Sequence, residues 1–326
     1  MLPRQFPKLL AVRDLVKIYG LTAKSQLSQN FIFDKNITDK IVKCANISQN
    51  DTLVVEVGPG PGLLTRSILE TGISNIVAIE KDSRFLPTLM QLAEASEHAL
   101  KVNTFRIIFV MIIKGDMLEI DHGKIMEAAH IDESRILGSN LHLIGNLPFN
   151  IASLFLVQWI KMLSNQSGIF KFPNITMTLM FQKERIVADT ISPQRGRMSV
   201  LVQSFCEAKK IYEVPSSVFV PRPKVDASII QLKALPNPFL KAPVDLLEEI
   251  VGHFYLFRRK TINSIFNKLQ KKFSEDKKET IFKIIEQLNV DMSLRPENLT
   301  AEQFCYLTKL FHDNSVSIPK NIKISK

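Results

Sequence analysis

The stretch Gly145-Asn-Leu-Pro-Phe149 places an amide side chain, a proline-restricted backbone and an aromatic ring next to one another. An exocyclic amine of a nucleobase is a poor nucleophile, because its lone pair is delocalised into the ring. Hydrogen bonds from that amine to the Asn146 side-chain oxygen and the Leu147 carbonyl would draw the nitrogen towards tetrahedral geometry. Pro148 would fix the backbone, and Phe149 would stack on the base with a gain of about 1–3 kcal/mol. Beside a methyl donor, the stretch predicts methyl transfer to a nucleobase amine; by itself it is equally typical of a turn.

A glycine-rich loop is the candidate site for that donor. Glu56-Val-Gly58-Pro-Gly60-Pro-Gly62 follows a short β-branched run and precedes a helical pattern. Glycines there allow a tight turn and a close approach of backbone amides to a ligand. Glu80 ends the next apolar run about 20 residues on, a position from which a carboxylate binds both hydroxyls of an adenosine ribose. The spacing fits either a dinucleotide or S-adenosylmethionine.

The composition of the loop favours S-adenosylmethionine over a dinucleotide. Its two prolines remove amides that a pyrophosphate would bind, and Glu56 repels phosphate but attracts ammonium and sulfonium groups. Asp116 follows the third predicted strand, where it would accept from the adenine amino group while Met117 packs on the ring. Taken alone, Asp116 is more typical of a helix cap. Its place at the same sheet edge favours ligand binding, because ligands lie beyond the carboxyl ends of such strands.

The elements that must position these residues alternate between strand and helix. The pattern therefore predicts an α/β fold: a Rossmann-like S-adenosylmethionine-dependent methyltransferase sheet, expected to be parallel. We predict strands at 52–57, 75–80, 105–114, 141–145 and 175–182, and helices at 63–69, 82–99 and 151–163.

A small all-helical domain is predicted at the carboxyl end. The segment 234–243 carries three prolines and is typical of a linker. We therefore expect a catalytic domain at 22–235 and a helical domain at 236–326, with helices at 244–257, 258–273, 278–288 and 300–311. Thr300 and Gln303 form a candidate capping box. Residues 1–21 are basic and amphipathic, which suits either an organelle transit segment or an ordinary first helix.

The composition narrows the class of partner. A net charge of +10 over 326 residues favours polyanions, nucleic acid first and anionic membrane second. The longest apolar run is far shorter than the roughly 18 residues of a membrane span, so no membrane insertion is expected. The three cysteines are far apart and form no CxxC, which argues against a zinc site, and we expect no metal.

These motifs together resemble the ribosomal RNA adenine N6,N6-dimethyltransferase family, and most of all its mitochondrial members. The resemblance runs in the family order from about residue 22 to 300 and includes Gln26–Phe31, Glu56–Gly62, Glu80–Asp82, Gly115-Asp116, Gly145–Phe149, Phe181–Glu184, Phe219–Asp226, Phe257–Lys260 and Leu294–Pro296. The segment 101–113 departs from the family by being longer and more apolar than its usual short strand.

The resemblance implies roles for particular residues. The expected contacts to S-adenosylmethionine are Asn30, Ile32, Gly58, Gly60, Glu80, Lys81, Asp116, Met117 and Asn146. Ile32 stands where family members often carry Leu. Phe219 would close the other face of the flipped base, opposite Phe149; alternatively it is a core aromatic residue. The catalytic set is thus Asn146, Leu147, Pro148, Phe149 and Phe219.

The implied substrate is a pair of adjacent adenosines in a hairpin loop near the 3′ end of small-subunit ribosomal RNA. Naked RNA and a pre-assembled small ribosomal subunit both remain open as partners, and we expect a monomer. The mitochondrial matrix is the expected location, with nucleolus or cytoplasm as the alternative. Candidate phosphate contacts are Arg195, Arg197, Arg222, Lys224, Arg258, Arg259 and Lys260. Such contacts set affinity and register rather than sequence choice.

Two rival functions remain at this point. One is a mitochondrial transcription factor that keeps the fold and recruits the transcription machinery without catalysis. The intact stretch from Asn146 to Phe149 argues against that, since a pure recruiter does not need it. The other is a DNA adenine methyltransferase.

Overall fold

The computed structural model describes residues 14, 17, 18, 20, 30–100, 109–131, 136, 138–147, 149–182, 186–190, 192 and 194–319, without the side chains of 97–100, 149, 150 and 182. Several predictions made from the sequence fall elsewhere. The transit segment or first helix at 1–21 lies almost wholly outside these residues, as do Pro148, the ring of Phe149 and the apolar stretch 101–108.

The chain divides into two compact units. The first comprises Met1–Lys183 and Lys209–Ala234, and the second Glu184–Ala208 and Leu235–Lys326. The second unit therefore contains the segment 184–208 besides the carboxyl-terminal region. The functional division at residue 235 stays a prediction.

The described elements carry the following bounds in chain order: β1 Phe31–Ile32, α1 Lys35–Ala45, β2 Leu53–Val57, α2 Leu63–Leu69, β3 Asn75–Glu80, α3 Leu86–Leu100, β4 Phe109–Lys114, α4 His122–Ala128, β5 Asn140–Gly145, α5 Phe149–Ser164, β6 Asn174–Gln182, α6 Arg197–Gln203, β7 Cys206–Val214, β8 Phe219–Val220, β9 Ala227–Ala234, α7 Val244–Leu256, α8 Ile262–Gln270, α9 Glu275–Leu288 and α10 Ala301–Asp313.

A seven-stranded sheet with the order β4-β3-β2-β5-β6-β9-β7 organises the chain. The strands from β2 to β6 pair in parallel, which confirms the Rossmann-like α/β prediction. All five residues of β2 are buried, as expected for a central parallel strand. The sheet as a whole is mixed, because β9, a strand that the sequence analysis does not predict, pairs with β6 in the antiparallel sense. An antiparallel strand added to a parallel sheet is a common arrangement.

The sheet register brings the candidate site residues to one edge. Val57 lies opposite Ile79 in the β2–β3 pair, and Glu56 lies opposite Ile144 in the β2–β5 pair. The residues that follow these strands therefore emerge side by side at their carboxyl ends. This is the edge at which open α/β sheets bind ligands.

Gly145 lets β5 end tightly against β2. A Cβ atom at this position would lie only 2.5 Å from the main-chain oxygen of Val57, closer than van der Waals contact permits. The obstacle is backbone rather than a flexible side chain, so relief requires the two strands to move apart.

We expect Gly145→Ala to lower the free energy of unfolding by about 1–3 kcal/mol, the usual cost of overpacking. Gly115→Ala is the matched control, since its Cβ would meet only the Ile120 Cδ1 atom at 3.8 Å. Denaturant unfolding of both variants checks the prediction. Equal midpoints for the two would contradict it.

The strand β1 and the helix α1 precede β2, and β1 forms a two-stranded ribbon with β8. In the ribbon Phe31 pairs with Val220 and Ile32 with Phe219. The α1 helix begins after Asp34, whose side chain accepts from the Asn36 amide at 2.9 Å. It is tied to α2 by a buried hydrogen bond of 2.8 Å between the hydroxyls of Thr38 and Ser67.

The second unit is built mainly from helices around an aromatic core. The Phe254 ring meets the Phe266 and Phe304 rings edge-on, with centroids 5.5 and 5.9 Å apart. The capping box of α10 is confirmed: Thr300 Oγ1 accepts from the Gln303 amide, and Gln303 Oε1 from the Thr300 amide.

The helix expected at 258–273 begins later than predicted, at Ile262. Thr261 caps it by accepting from the Ser264 amide at 3.3 Å. The basic residues Arg258, Arg259 and Lys260 consequently lie in the turn before α8. In the part of the chain that the structure describes, no helix combines the length and apolarity needed to cross a membrane.

Candidate active site

A cleft of about 610 Å³, measured with its open mouth, lies at the carboxyl ends of β2, β3 and β5. The cleft is lined by Asn30, Phe31, Ile32, Thr38, Ile41, Glu56, Gly58, Pro59, Gly60, Pro61, Leu63, Leu64, Glu80 and Asn146. Six of the predicted cofactor contacts are among these residues: Asn30, Ile32, Gly58, Gly60, Glu80 and Asn146.

The glycine loop crosses the floor of the cleft in left-handed backbone conformations. Gly60 has φ +55°, and a Cβ there would lie 3.0 Å from the Phe31 ring. Any larger residue at this position would therefore be strained and would press on Phe31. The loop is further held by a 2.9 Å hydrogen bond from the Gly58 amide to the Ile79 carbonyl.

Glu80 joins the end of β3 to this loop. Its Oε2 accepts from the Gly60 amide at 2.9 Å, and its Oε1 from the Asp82 amide at 2.7 Å. The carboxyl is only 3% exposed, and burial raises its pKa above the usual value. Each oxygen retains acceptor capacity, so the group can hold ribose hydroxyls while it stays fixed by backbone amides.

Glu56 is the unusual group of the cleft. It is fully buried within β2, and neither carboxylate oxygen makes a hydrogen bond of normal geometry within the described residues. Burial raises the pKa of Glu56 to about 8; the nearby Thr65 hydroxyl opposes the rise and the charge of Glu80 adds to it. A buried carboxylate without partners favours a cationic ligand, which would supply the missing interactions.

Lys81 and Asp116 join the ends of β3 and β4 beside the cleft rather than lining it. The Lys81 ammonium lies 2.7 Å from Asp116 Oδ2, and Asp116 Oδ1 accepts from the Leu118 amide at 3.0 Å. Burial tends to raise the pKa of Asp116, but the hydrogen bond from Lys81 outweighs burial, so the pKa lies below its usual value. Met117 is buried at 2% exposure. The adenine contacts assigned to Asp116 and Met117 stay predictions.

Asn146 emerges from β5 at the same edge. Its Nδ2 donates to the main-chain carbonyl of Asn30 at 2.7 Å, and both residues line the cleft together with the glycine loop. The Leu147 side chain is buried at 2% exposure, which anchors the backbone just after Asn146.

Phe219 is packed into the core of the first unit. It is 2% exposed and belongs to the same apolar cluster as Ile32 and Ile144. This placement matches the alternative of a core aromatic residue. The stacking roles of Phe219 and Phe149 stay predictions.

The predicted RNA contacts differ in their exposure. Arg222 and Lys224 of the first unit are exposed, as are Arg197, Arg258, Arg259 and Lys260 of the second. Arg195 is the exception and a correction, because it is only 1% exposed. Its guanidinium donates to the carbonyls of Ala188 and Leu299 and to the Gln203 side chain, so it holds the helical unit together instead of facing phosphate.

Sequence reasoning gave no role to several residues of the cleft. Phe31, Thr38, Leu63 and Leu64 line it. In the sequence Phe31 is only the last residue of a motif, and Leu63 and Leu64 are only the first residues of a predicted helix. Among the described side chains, no group of three His, Cys, Asp or Glu is arranged to hold a metal ion.

Comparison with known proteins decides the family. A sequence profile described as ribosomal RNA adenine dimethylase matches residues 20–313, most of the chain. The chain belongs to the ribosomal RNA adenine dimethylase family. The resemblance seen in the motifs is thereby confirmed, as is the prediction of an enzyme that dimethylates adenine in ribosomal RNA.

The dimethylase is similar to two curated relatives over nearly their whole length. It is 36% identical to mitochondrial dimethyladenosine transferase 1 of Bos taurus, covering 94% of this chain and 87% of the relative. It is also 36% identical to mitochondrial dimethyladenosine transferase 1 of Drosophila melanogaster, covering 97% and 92%. A crystal structure of a dimethyladenosine transferase from Plasmodium falciparum matches with TM-score 0.65 and 23% identity, covering 89% of this chain and 100% of that one. The structural match supports the fold.

Proposed function

We propose that this dimethylase uses S-adenosylmethionine to methylate twice the N6 amine of two adjacent adenosines in the 3′-terminal hairpin loop of small-subunit ribosomal RNA. We place the reaction in the mitochondrial matrix, in support of small-subunit assembly. The observation that carries the proposal is that Asn146 lines the same cleft as Glu56 and Glu80. The group suited to the base amine and the groups suited to the donor thus meet in one site.

The chemistry of the cleft supports S-adenosylmethionine as the donor. Two buried carboxyl groups, Glu56 and Glu80, line the site. A cation stabilises their ionised forms, whereas a pyrophosphate would be repelled by them. The unpartnered oxygens of Glu56 suit an ammonium or sulfonium charge. The backbone-held carboxylate of Glu80 suits a ribose diol.

The mechanism assigns each group a positioning task. When bound, S-adenosylmethionine supplies a methyl group activated by its sulfonium charge. Glu80 holds the ribose and Glu56 balances the positive charge, so the methyl group is kept at a fixed place. Before the first transfer Asn146 Oδ1 and the Leu147 carbonyl accept the two amine hydrogens, which turns the nitrogen lone pair towards that methyl group. In each transfer the N–C bond would form as the S–C bond breaks, and the nitrogen then loses one proton. Before the second transfer the one remaining N–H can donate to only one of the two acceptors. Positioning of this kind lowers barriers by up to about 7–11 kcal/mol without a strong base.

The substrate and location rest on the relatives and on charge. Both curated relatives are named mitochondrial dimethyladenosine transferases. The net charge of +10 suits an RNA substrate, and loop adenosines are splayed out more cheaply than paired ones. We propose that the exposed basic residues Arg197, Arg222, Lys224 and Arg258–Lys260 contact its phosphates, that residues 22–235 carry catalysis and that the protein acts as a monomer.

The decisive experiment uses unmethylated small ribosomal subunits. Incubation with the full chain and S-adenosylmethionine is expected to yield N6,N6-dimethyladenosine at two neighbouring positions of the 3′-terminal hairpin, mapped by primer extension and mass spectrometry. Naked ribosomal RNA and duplex DNA serve as comparison substrates. Calorimetry is expected to detect S-adenosylmethionine binding and no binding of a nicotinamide dinucleotide. Preferential modification of DNA, or the reverse calorimetric result, would refute the proposal.

A further inference from the structure

In the hydrogen bond between Asn146 and Asn30, the donor and the acceptor cannot exchange roles. Its acceptor is a main-chain carbonyl, which carries no hydrogen, so only the NH₂ half of the Asn146 amide can approach it at 2.7 Å. The opposite orientation would bring two oxygens together. Oδ1 is therefore turned away from Asn30.

We propose that the Asn30 carbonyl is a positioning group that orients the Asn146 amide for the substrate amine, and that it makes this position require an amide rather than a carboxylate. The inference rests on the proposed function, in which Oδ1 accepts from the adenosine N6 amine. The hydrogen bond to the Asn30 carbonyl would hold Oδ1 of Asn146 in one orientation before the substrate binds.

Both ends of the contact lie next to closely packed residues of the first unit. Asn30 directly precedes β1, where Phe31 pairs with Val220. The Phe31 ring lies against Gly60 and meets the Phe85 ring at a centroid distance of 5.3 Å. Asn146 follows Gly145, whose close packing on β2 fixes the end of β5. Both neighbouring residues are thus held by pairing or close packing, and the hydrogen bond between Asn146 and Asn30 sets the rotation of the amide.

If the Asn146 amide is replaced by a carboxyl group, the ionised and the protonated forms of that group should behave differently. An ionised carboxylate would set a negative oxygen against the Asn30 carbonyl and would be repelled. A protonated carboxyl would restore the native pattern, because its O–H donates to the Asn30 carbonyl and its other oxygen accepts from the amine. Asn146→Asp is therefore expected to be active only in its protonated form, so its activity rises as pH falls.

Other titrating groups facing the site are Glu56 from β2 and Glu80 from β3; the lining residues from β1, α1 and α2 are uncharged. Both carboxyls are present in wild type and variant alike. The rate of the variant divided by that of wild type, at saturating S-adenosylmethionine, therefore isolates the introduced carboxyl.

The experiment measures single-turnover methylation of unmethylated small subunits from pH 6 to 8.5 by wild type, Asn146→Asp and Asn146→Ala. For Asn146→Asp the rate ratio is expected to fall by about tenfold per pH unit above the pKa of the new carboxyl. For Asn146→Ala, which cannot titrate, the ratio should stay flat. A flat ratio for both variants would overturn the inference.

A measurement on wild type tests the same hydrogen bond without a variant, so the result does not depend on whether a variant folds. The side-chain NH₂ of Asn146, resolved by ¹⁵N NMR of the full chain, should contain one hydrogen protected from solvent exchange. Rapid exchange of both hydrogens would overturn the inference. If wild type itself transfers no methyl group to the subunit, the proposed function fails, while the exchange measurement still decides the contact.

Discussion

Asn146→Ala is expected to reduce methyl transfer on the order of 10²–10³-fold, the usual loss when one preorganised hydrogen-bonding group is removed from a reacting centre. Without Oδ1, the base amine loses the acceptor that draws its nitrogen out of conjugation. The side chain is half-buried and its one described hydrogen bond is to the Asn30 carbonyl, so the fold should persist.

Rates of small-subunit methylation at saturating donor check this, with circular dichroism to confirm folding. Asn140→Ala is the matched control, because Asn140 lies at the other end of the same strand, where it donates to Asp51 at 3.1 Å. We expect that control to methylate at the wild-type rate. Normal dimethylation by Asn146→Ala would contradict the mechanism.

The part of the site that sequence could predict is the part carried by parallel strands. Each of β2, β3 and β5 was recognised from a short apolar run, and parallel strands present their carboxyl ends at one edge. Gly58, Glu80 and Asn146 each follow or end such a strand, so their meeting in one cleft was predictable. Their spacing along the chain, relative to the strands, was enough to predict this.

The remainder depended on contacts between segments with no regular relation in sequence. β7 was missed because exposed lysines, Lys209 and Lys210, interrupt its strand pattern. The closing of the cleft by Phe31 depends on its pairing with Val220, far along the chain.

Arg195 shows the same limit for charged residues. Arginine is usually exposed, and next to Arg197 it suggested a phosphate contact. Its burial follows from three acceptors supplied by separate segments around it, at Ala188, Gln203 and Leu299. No local sequence pattern predicts that these three acceptors surround Arg195.

Glu56 yields the second large prediction, a pH dependence of cofactor binding. Because burial raises the pKa of Glu56 to about 8, the group is mostly protonated at neutral pH in the free enzyme. A cationic ligand favours the ionised form, so binding must release a proton. The affinity for S-adenosylmethionine is therefore expected to rise by up to about tenfold per pH unit between pH 6 and 7.5. Calorimetry in buffers of different ionisation enthalpy would measure the proton released.

The same carboxyl should destabilise the free enzyme as pH rises. Its pKa is about 8 in the fold against 4.5 for the ordinary group, so between these values the native state binds the extra proton. Stability supplied by the protonated form is thus lost as pH increases through this window, by up to about 1.4 kcal/mol per unit. Glu56→Gln cannot titrate and should escape that loss, so its stability relative to wild type should increase from pH 5 to pH 8.

Glu56→Gln is therefore expected to weaken cofactor binding and, at the same time, to stabilise the fold. It should bind S-adenosylmethionine more weakly at pH 8, with no rise in affinity from pH 6 to 7.5, while it unfolds at higher denaturant concentration than wild type. Glu70→Gln is the control, since Glu70 is an exposed carboxylate paired with Lys35 outside the cleft. Its pH profiles should follow wild type. Coinciding profiles of affinity and stability for wild type and Glu56→Gln would mean that the buried carboxylate neither titrates in this range nor contacts the cation, because either event alone would separate the two curves.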